Sequence, residues 1–178
     1  MRYLILSDIH ANCEALSAVF AHVRRKRWDK AIVLGDVVGY GANPNQAVDM
    51  IRELKPLVAI RGNHDKVCSG VEDGEMFNRV ALQAAMWTRR KLSPQNLRWL
   101  QALPEGPVVV DGAFQHHLED AGVEDRCRRL ASKLASLGAG EIRQESAAIR
   151  AQSNPIGPGP STTTRSPGRI VELTHIAL

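Results

Sequence analysis

Three short apolar runs, separated by two amphipathic segments, constrain the fold more than any other feature of the sequence. The runs are Tyr3-Leu4-Ile5-Leu6, Ala31-Ile32-Val33-Leu34 and Leu57-Val58-Ala59-Ile60. Runs of this length are typical of strands that are buried on both faces. The intervening segments carry apolar residues at helical spacing. The order β-α-β-α-β therefore predicts an α/β fold whose parallel strands are joined by right-handed crossovers.

Further elements are predicted after the third strand. A helix over about residues 77–92 would bury Val80 and Trp87, and a shorter helix follows over residues 93–100. The run 107–110 would add a fourth strand. The outer edge of that strand would lack a neighbour, so copies of the chain could associate through it.

The composition changes after Phe114, which is the last aromatic residue of the chain. The 178 residues contain three Trp, three Phe and two Tyr, so the final third has no aromatic ring to fill a core. We therefore predict a domain over residues 1–113 and an atypical tail over residues 114–178. The tail would be helical over 120–137 and then poorly ordered, because residues 152–168 are rich in Pro, Gly, Ser and Thr.

The composition also limits the partners and the location of the protein. No apolar run approaches the roughly 20 residues that a membrane span needs, so no membrane partner is predicted. The net charge of +4 is too mild to favour a nucleic-acid partner. The N-terminus lacks a secretory signal and the three cysteines form no CxxC pair. A cytoplasmic location is therefore predicted.

Acidic, imidazole and amide side chains follow each of the three strands. Asp8 and His10 come after the first strand, Asp36 after the second, and Asn63 and His64 after the third. Because the carboxyl ends of adjacent parallel strands meet at one crevice, we expect these groups to converge. Such ligands suit Mn, Fe, Zn, Ni or Mg ions. A central carboxylate can bridge two such ions, about 3.5–4 Å apart.

Simpler interpretations exist for each residue alone. Asp8 and Asp36 could cap helices that start after strands, and His64 could be a structural histidine. The joint occurrence of three motifs favours a functional site. A dinucleotide-binding domain also begins β-α-β, but no Gly-x-Gly-x-x-Gly follows the first strand.

The three motifs resemble the signature of the calcineurin-like metallophosphoesterases, in particular the small prokaryotic members. The motifs are Ser7-Asp8-Ile9-His10-Ala11-Asn12, Gly35-Asp36-Val37-Val38-Gly39-Tyr40-Gly41 and Arg61-Gly62-Asn63-His64-Asp65. The resemblance covers roughly residues 1–113 and implies a four-layer α/β/β/α sandwich that holds two divalent metal ions. It also implies hydrolysis of a phosphomonoester or phosphodiester by a metal-bound hydroxide, with a phosphate-ester small molecule or a nucleotide as the substrate.

The resemblance assigns metal ligands to this chain. Asp8 and His10 would bind the first metal ion, Asp36 would bridge both ions, and Asn63 would bind the second. His117, which follows the fourth predicted strand, is a further candidate ligand.

The same resemblance assigns catalytic roles to the third motif. His64 would face the substrate phosphate as a general acid or charge stabiliser, and Asp65 would orient or polarise His64. An imidazolium in that place can neutralise developing charge and protonate a leaving alkoxide.

The sequence departs from the family pattern beyond residue 113. The family completes its site with a His-Gly and a Gly-His-x-His. This sequence has no Gly-His-x-His, and Leu118 stands where a glycine should follow His117. We therefore expect a truncated or frameshifted reading frame, in which the apparent C-terminal half of the fold is missing or replaced. The alternative function is a catalytically impaired or inactive remnant of such an enzyme.

Overall fold

The computed structural model describes residues 3–106 and four strand segments beyond them, 108–110, 113–115, 142–145 and 171–174. The predicted helix over 120–137, the segment 152–168 and His117 lie outside the described residues.

The described residues form strands and helices in alternation. The strands are β1 (Tyr3–Leu6), β2 (Lys30–Val33), β3 (Val58–Ala59), β4 (Val108–Val110), β5 (Ala113–Gln115), β6 (Ile142–Glu145) and β7 (Val171–Thr174). The helices are α1 (Cys13–Val23), α2 (Pro44–Leu54), α3 (Asn63–Ser69), α4 (Arg79–Lys91) and α5 (Pro94–Ala102). Over the described part of the chain, none of the helices combines the length and apolar character needed to cross a membrane.

A five-stranded sheet organises the fold, in the order β3-β2-β1-β7-β6. All neighbouring pairs are parallel, and Ile5 of β1 lies opposite Ile32 of β2. The predicted β-α-β-α-β order is confirmed by β1 to β3 and the two helices between them. The strand β3 is shorter than expected: it covers Val58–Ala59, and Leu57, which is 44% exposed, precedes the paired residues.

The helices α1 and α2 bury the faces that the apolar spacing predicts. Leu16 and Val19 of α1 and Val48 and Ile51 of α2 are all buried in the core. The helix α1 begins at Asn12, whose side-chain oxygen accepts a hydrogen bond from the Ala15 backbone N–H at 3.0 Å. These well-packed helices hold the loops after β1 and β2 in place.

The strand predicted over residues 107–110 is present as β4. It pairs antiparallel with β5 in a separate two-stranded sheet and not with the parallel sheet. The sequence between them is Asp111-Gly112, a pair that favours a two-residue hairpin turn. The edges of the parallel sheet are therefore β3 and β6, and association through a sheet edge stays a prediction.

The predicted buried face of α4, with Val80 and Trp87, is wrong. Val80 is 69% exposed and Trp87 is 37% exposed, whereas Ala81, Ala85 and Thr88 are buried. The helix starts at Arg79, with Asn78 as its N-cap. Small residues face the core because α4 packs closely against α3, a helix that the apolar pattern did not predict.

Two strands of the parallel sheet come from residues beyond 113. The strand β7 pairs with both β1 and β6. No strand was predicted at β6 or β7, because their sequences, IRQE and VELT, are half polar or more and are not continuous apolar runs. The division at residue 113 remains a prediction.

A buried amide joins α5 to α2. The Asn96 side chain is 2% exposed; its oxygen accepts from Arg52 Nη1 at 3.0 Å. Its nitrogen donates to Asp49 Oδ1 at 3.0 Å and to Asn45 Oδ1 at 3.3 Å. The amide therefore satisfies polar groups that would otherwise lose their partners at a helix contact.

Replacing this amide should destabilise the fold. We expect Asn96→Ala to lower the free energy of unfolding by about 2 kcal/mol, because it leaves part-buried polar groups without partners. Urea denaturation followed by circular dichroism measures the change. Gln95→Ala, at the neighbouring exposed position of α5, is the matched control and should have little effect. Equal stability of both variants would contradict this account of the helix contact.

Candidate metal centre

The loops after β1 and β2 have an unusual backbone. Asp8, His10 and Ala11 in the first loop and Asp36 and Tyr40 in the second all have φ between 48° and 56°. This left-handed region is uncommon for residues other than glycine. Such strain of about 1–3 kcal/mol for each residue persists where the surrounding structure enforces it, and it is concentrated at functional sites. The backbone here turns so that the side chains at positions 8, 10 and 36 meet.

The backbone of the first loop is hydrogen-bonded to that of the second. The N–H of His10 donates to the Asp36 carbonyl oxygen at 2.9 Å, and the N–H of Ala11 donates to the Val37 oxygen at 2.9 Å. The N–H of Gly41 donates to the His10 oxygen at 2.9 Å. The two loops therefore behave as one rigid unit.

Asp8, His10 and Asp36 form a compact group of ligands. One ligand atom from each lies within 4.8 Å of the other two. His10 Nε2 is 3.9 Å from Asp8 Oδ1. Opposite ligands of a single ion at 2.0–2.2 Å are about 4 Å apart. The spacing and the donor types therefore fit a divalent cation.

Neighbouring groups orient two of these ligands. The Ser7 hydroxyl donates to Asp8 Oδ2 at 2.5 Å. His10 Nδ1 lies 3.4 Å from the Val38 carbonyl oxygen, which leaves Nε2 on the side of Asp8. Hydrogen bonds of this kind fix the orientation of a metal ligand and increase its basicity. Ser7 belongs to the first motif, but no role was predicted for it.

The loop after β3 contacts Asp36 directly. The backbone N–H of His64 donates to Asp36 Oδ1 at 3.0 Å. A side chain at Gly62 would overlap Asp36 Oδ1 and place its Cβ 2.5 Å from Asp36 N. Only glycine permits this approach. Asn63, the first residue of α3, stands between these two contacts.

Asp65 is buried beneath the site. It is 0% exposed; one carboxylate oxygen accepts from the Val38 N–H at 3.1 Å and the other from the Gly62 N–H at 3.0 Å. Burial and, to a smaller extent, the charge of Asp36 raise the pKa of Asp65 to about 7, against the opposing effect of these backbone N–H groups. Through its hydrogen bonds to Val38 and Gly62, the carboxylate joins the second and third loops.

Four aromatic rings line the site. Tyr40 lies with its ring centroid 5.1 Å from that of His10 and 4.6 Å from that of His64. The His10 and His64 centroids are 4.8 Å apart, and Phe77 is 4.6 Å from His64 on another side. The His64 ring is thus held among three others. Neither Tyr40 nor Phe77 was predicted to contact the site.

The structure brings five of the seven predicted site residues into one described contact network. Asp8, His10 and Asp36 form the ligand group, and His64 and Asp65 adjoin it. Asn63 lies between Gly62 and His64 at the start of α3. The helix α3 itself was missed. Asp65 three residues after Gly62, together with Gly70 at the C-terminus of the helix, was the signal for it.

Comparison with known proteins identifies the class of protein. The family model of the calcineurin-like phosphoesterases matches residues 1–137. The chain belongs to this family, whose members generally bind two divalent metal ions, and the predicted family and α/β fold are confirmed.

Individual relatives match part of the chain. The chain is 43% identical over 100 residues to the uncharacterized protein MJ0912 of Methanocaldococcus jannaschii, a match that covers 56% of this chain and 41% of that protein. It is 42% identical to a metallophosphoesterase of known structure from Sphaerobacter thermophilus, with a TM-score of 0.48. That match covers 58% of this chain and 41% of the other. The chain therefore matches about two fifths of the length of each relative.

The hydroxyl of Ser7 should contribute to metal binding. We expect Ser7→Ala to weaken Mn²⁺ binding roughly tenfold, since Asp8 loses the hydrogen bond that orients it. Isothermal titration calorimetry measures the affinity. Ser17→Ala, at an exposed position of α1, is the control and should bind Mn²⁺ like the unmodified chain. Unchanged affinity in Ser7→Ala would show that this hydroxyl does not position the ligand.

Proposed function

We propose that this chain is a metal-dependent phosphoesterase that hydrolyses a phosphomonoester or phosphodiester. The single observation that carries the proposal is the ligand group of Asp8, His10 and Asp36 at the ends of two adjacent strands. Membership of the calcineurin-like phosphoesterase family supports it.

Four side chains would hold the cations. Asp8 and His10 would bind a first ion, Asp36 would contact both ions, and Asn63 would bind the second. Mn, Fe, Zn, Ni and Mg all suit this donor set. When bound, the ions would neutralise charge on the phosphoryl oxygens and lower the pKa of water that attacks phosphorus.

His64 would act on the substrate phosphate. Its backbone is tied to Asp36 and its ring lies beside that of His10, so an ester bound at the cations would lie close to the imidazole. The ring would donate a hydrogen bond to a phosphate oxygen or a proton to the leaving oxygen. The substrate would be a small phosphate ester or a nucleotide.

Asp65 would act by positioning His64. Its carboxylate binds backbone N–H groups on both sides of the site. It thereby fixes the loop from which His64 projects. This role agrees with the orienting function that the family resemblance implies for it.

A second candidate is a domain that binds metal but hydrolyses esters poorly or not at all. The lack of a Gly-His-x-His sequence favours it, because the family draws further ligands from that motif.

For either candidate, residues 1–113 would carry the site. The protein would act in the cytoplasm, where the separate thiols of Cys13 and Cys68 would stay reduced.

Removing the central carboxylate should abolish the reaction. We expect Asp36→Asn to lower the Mn²⁺-dependent hydrolysis of p-nitrophenyl phosphate and of bis(p-nitrophenyl) phosphate by roughly 100-fold or more, because a ligand to both cations is lost. Release of p-nitrophenol measures both reactions.

Glu53→Gln is the matched control, since Glu53 is an exposed carboxylate on α2, and it should retain full activity. Hydrolysis that survives in Asp36→Asn would contradict the proposed site. Mn²⁺ binding by the unmodified chain without hydrolysis of either ester would favour the second candidate.

A further inference from the structure

We propose that Tyr40 selects the ester that the site accepts, by stacking against a flat, uncharged ring on the leaving group. The proposal rests on the proposed function, because it concerns the leaving-group side of the same site. It assigns a substrate contact to a residue outside the ligand group.

The position of the Tyr40 ring suits such a contact. The ring lies against the rings of His10 and His64, edge-on to the first and tilted to the second, at centroid distances of 5.1 and 4.6 Å. Tyr40 is nevertheless 46% exposed, whereas His64 is 7% exposed. One part of the ring therefore packs on the site, and the rest is open to a molecule that enters it.

The backbone holds this ring in place. Tyr40 has a φ of 56° and follows Gly39, which has a φ of 102°. Left-handed backbone costs a tyrosine more than an asparagine, whose short polar side chain tolerates it. A side chain at Gly41 would overlap the His10 carbonyl oxygen, so the loop that carries Tyr40 has no room to move inwards. A strained aromatic residue is thus fixed at the opening of the site.

The distances indicate what the ring would meet. A phosphate beside His10 and His64 would carry its ester group within about one ring width of Tyr40, since all three ring centroids lie within 5.1 Å of one another. A flat ring close to phosphorus would therefore stack on Tyr40. Stacking favours aromatic over aliphatic groups of the same size.

The Phe77 neighbour of His64 borders a different surface. A cleft of about 620 Å³ opens beside Asn63 and Phe77, and its lining includes the carboxylates of Asp73 and Glu75. Carboxylates repel a phosphate ester, so this side is the poorer place for the reacting group. The contrast favours the Tyr40 side for the leaving group.

The test measures binding of phosphonates, which are not hydrolysed, to the full Mn²⁺-loaded chain by calorimetry. We expect benzylphosphonate to bind roughly three- to tenfold more tightly than methylphosphonate or cyclohexylmethylphosphonate. Tyr40→Phe should keep this preference. Tyr40→Asn should reduce it to less than twofold, because asparagine keeps the left-handed backbone without the ring. Trp87→Asn, which removes an exposed ring on α4, is the control and should keep the preference.

The outcomes separate this proposal from the proposed function. Equal binding of all three phosphonates overturns the stacking of a ring close to phosphorus on Tyr40 and leaves the phosphate site in place. A preference that persists in Tyr40→Asn also overturns it and points to the cleft beside Phe77. Failure of every phosphonate to bind overturns both proposals. Equal binding of the phosphonates by the unmodified chain counts against the proposal even where a variant fails to fold.

A nucleotide would also present a flat, uncharged ring to Tyr40, but its base lies farther from phosphorus than a benzyl ring does. A phosphonate analogue of adenosine monophosphate, measured in the same way, distinguishes the two sources. A Tyr40-dependent gain for either ligand supports the proposal, and the ligand with the larger gain identifies the source. No Tyr40-dependent gain for either one overturns the proposal.

Discussion

The close approach of two carboxylates, Asp8 and Asp36, is the constraint on which the rest of the structure depends. Like charges held together repel each other, and both residues also have left-handed backbone. Neither feature stabilises the fold by itself. A divalent cation between the carboxylates would offset their repulsion, and the paired carboxylates would in turn bind that cation. The N-terminal region is therefore best understood as a scaffold that gives up stability to create a strong site for positive charge.

Three levels of structure maintain that arrangement. Parallel pairing of β1 with β2 and of β2 with β3 brings three loops to one edge of the sheet. Backbone hydrogen bonds then lock the first loop to the second. Asp65 finally joins the second loop to the third from beneath, through the N–H groups of Val38 and Gly62. The result is a rigid site, which is what a ligand set needs if it is to bind a cation without first reorganising.

The sequence predicted the parts of the site that are encoded by strand order. Asp8, His10 and Asp36 could be grouped because parallel strands share a carboxyl edge, and that geometry needs no side-chain detail. Contacts between side chains could not be predicted in this way. Tyr40 and Ser7 lie within the recognised motifs, but no role was predicted for either. An exposed aromatic residue such as Tyr40 has no periodic signal, and Ser7 precedes a more conspicuous aspartate. The buried side of α4 was wrong because Val80 looks like a core residue by hydrophobicity, although alanines face the crowded contact with α3.

The central claim is that the three side chains at the ends of β1 and β2 hold a cation together. Anomalous diffraction from crystals of the chain grown with Mn²⁺ tests it most directly. The account predicts an anomalous peak within about 2.2 Å of an oxygen of Asp8, an oxygen of Asp36 and Nε2 of His10. A map with no peak there, or one in which the two carboxyl groups point to opposite faces of the sheet, would contradict it.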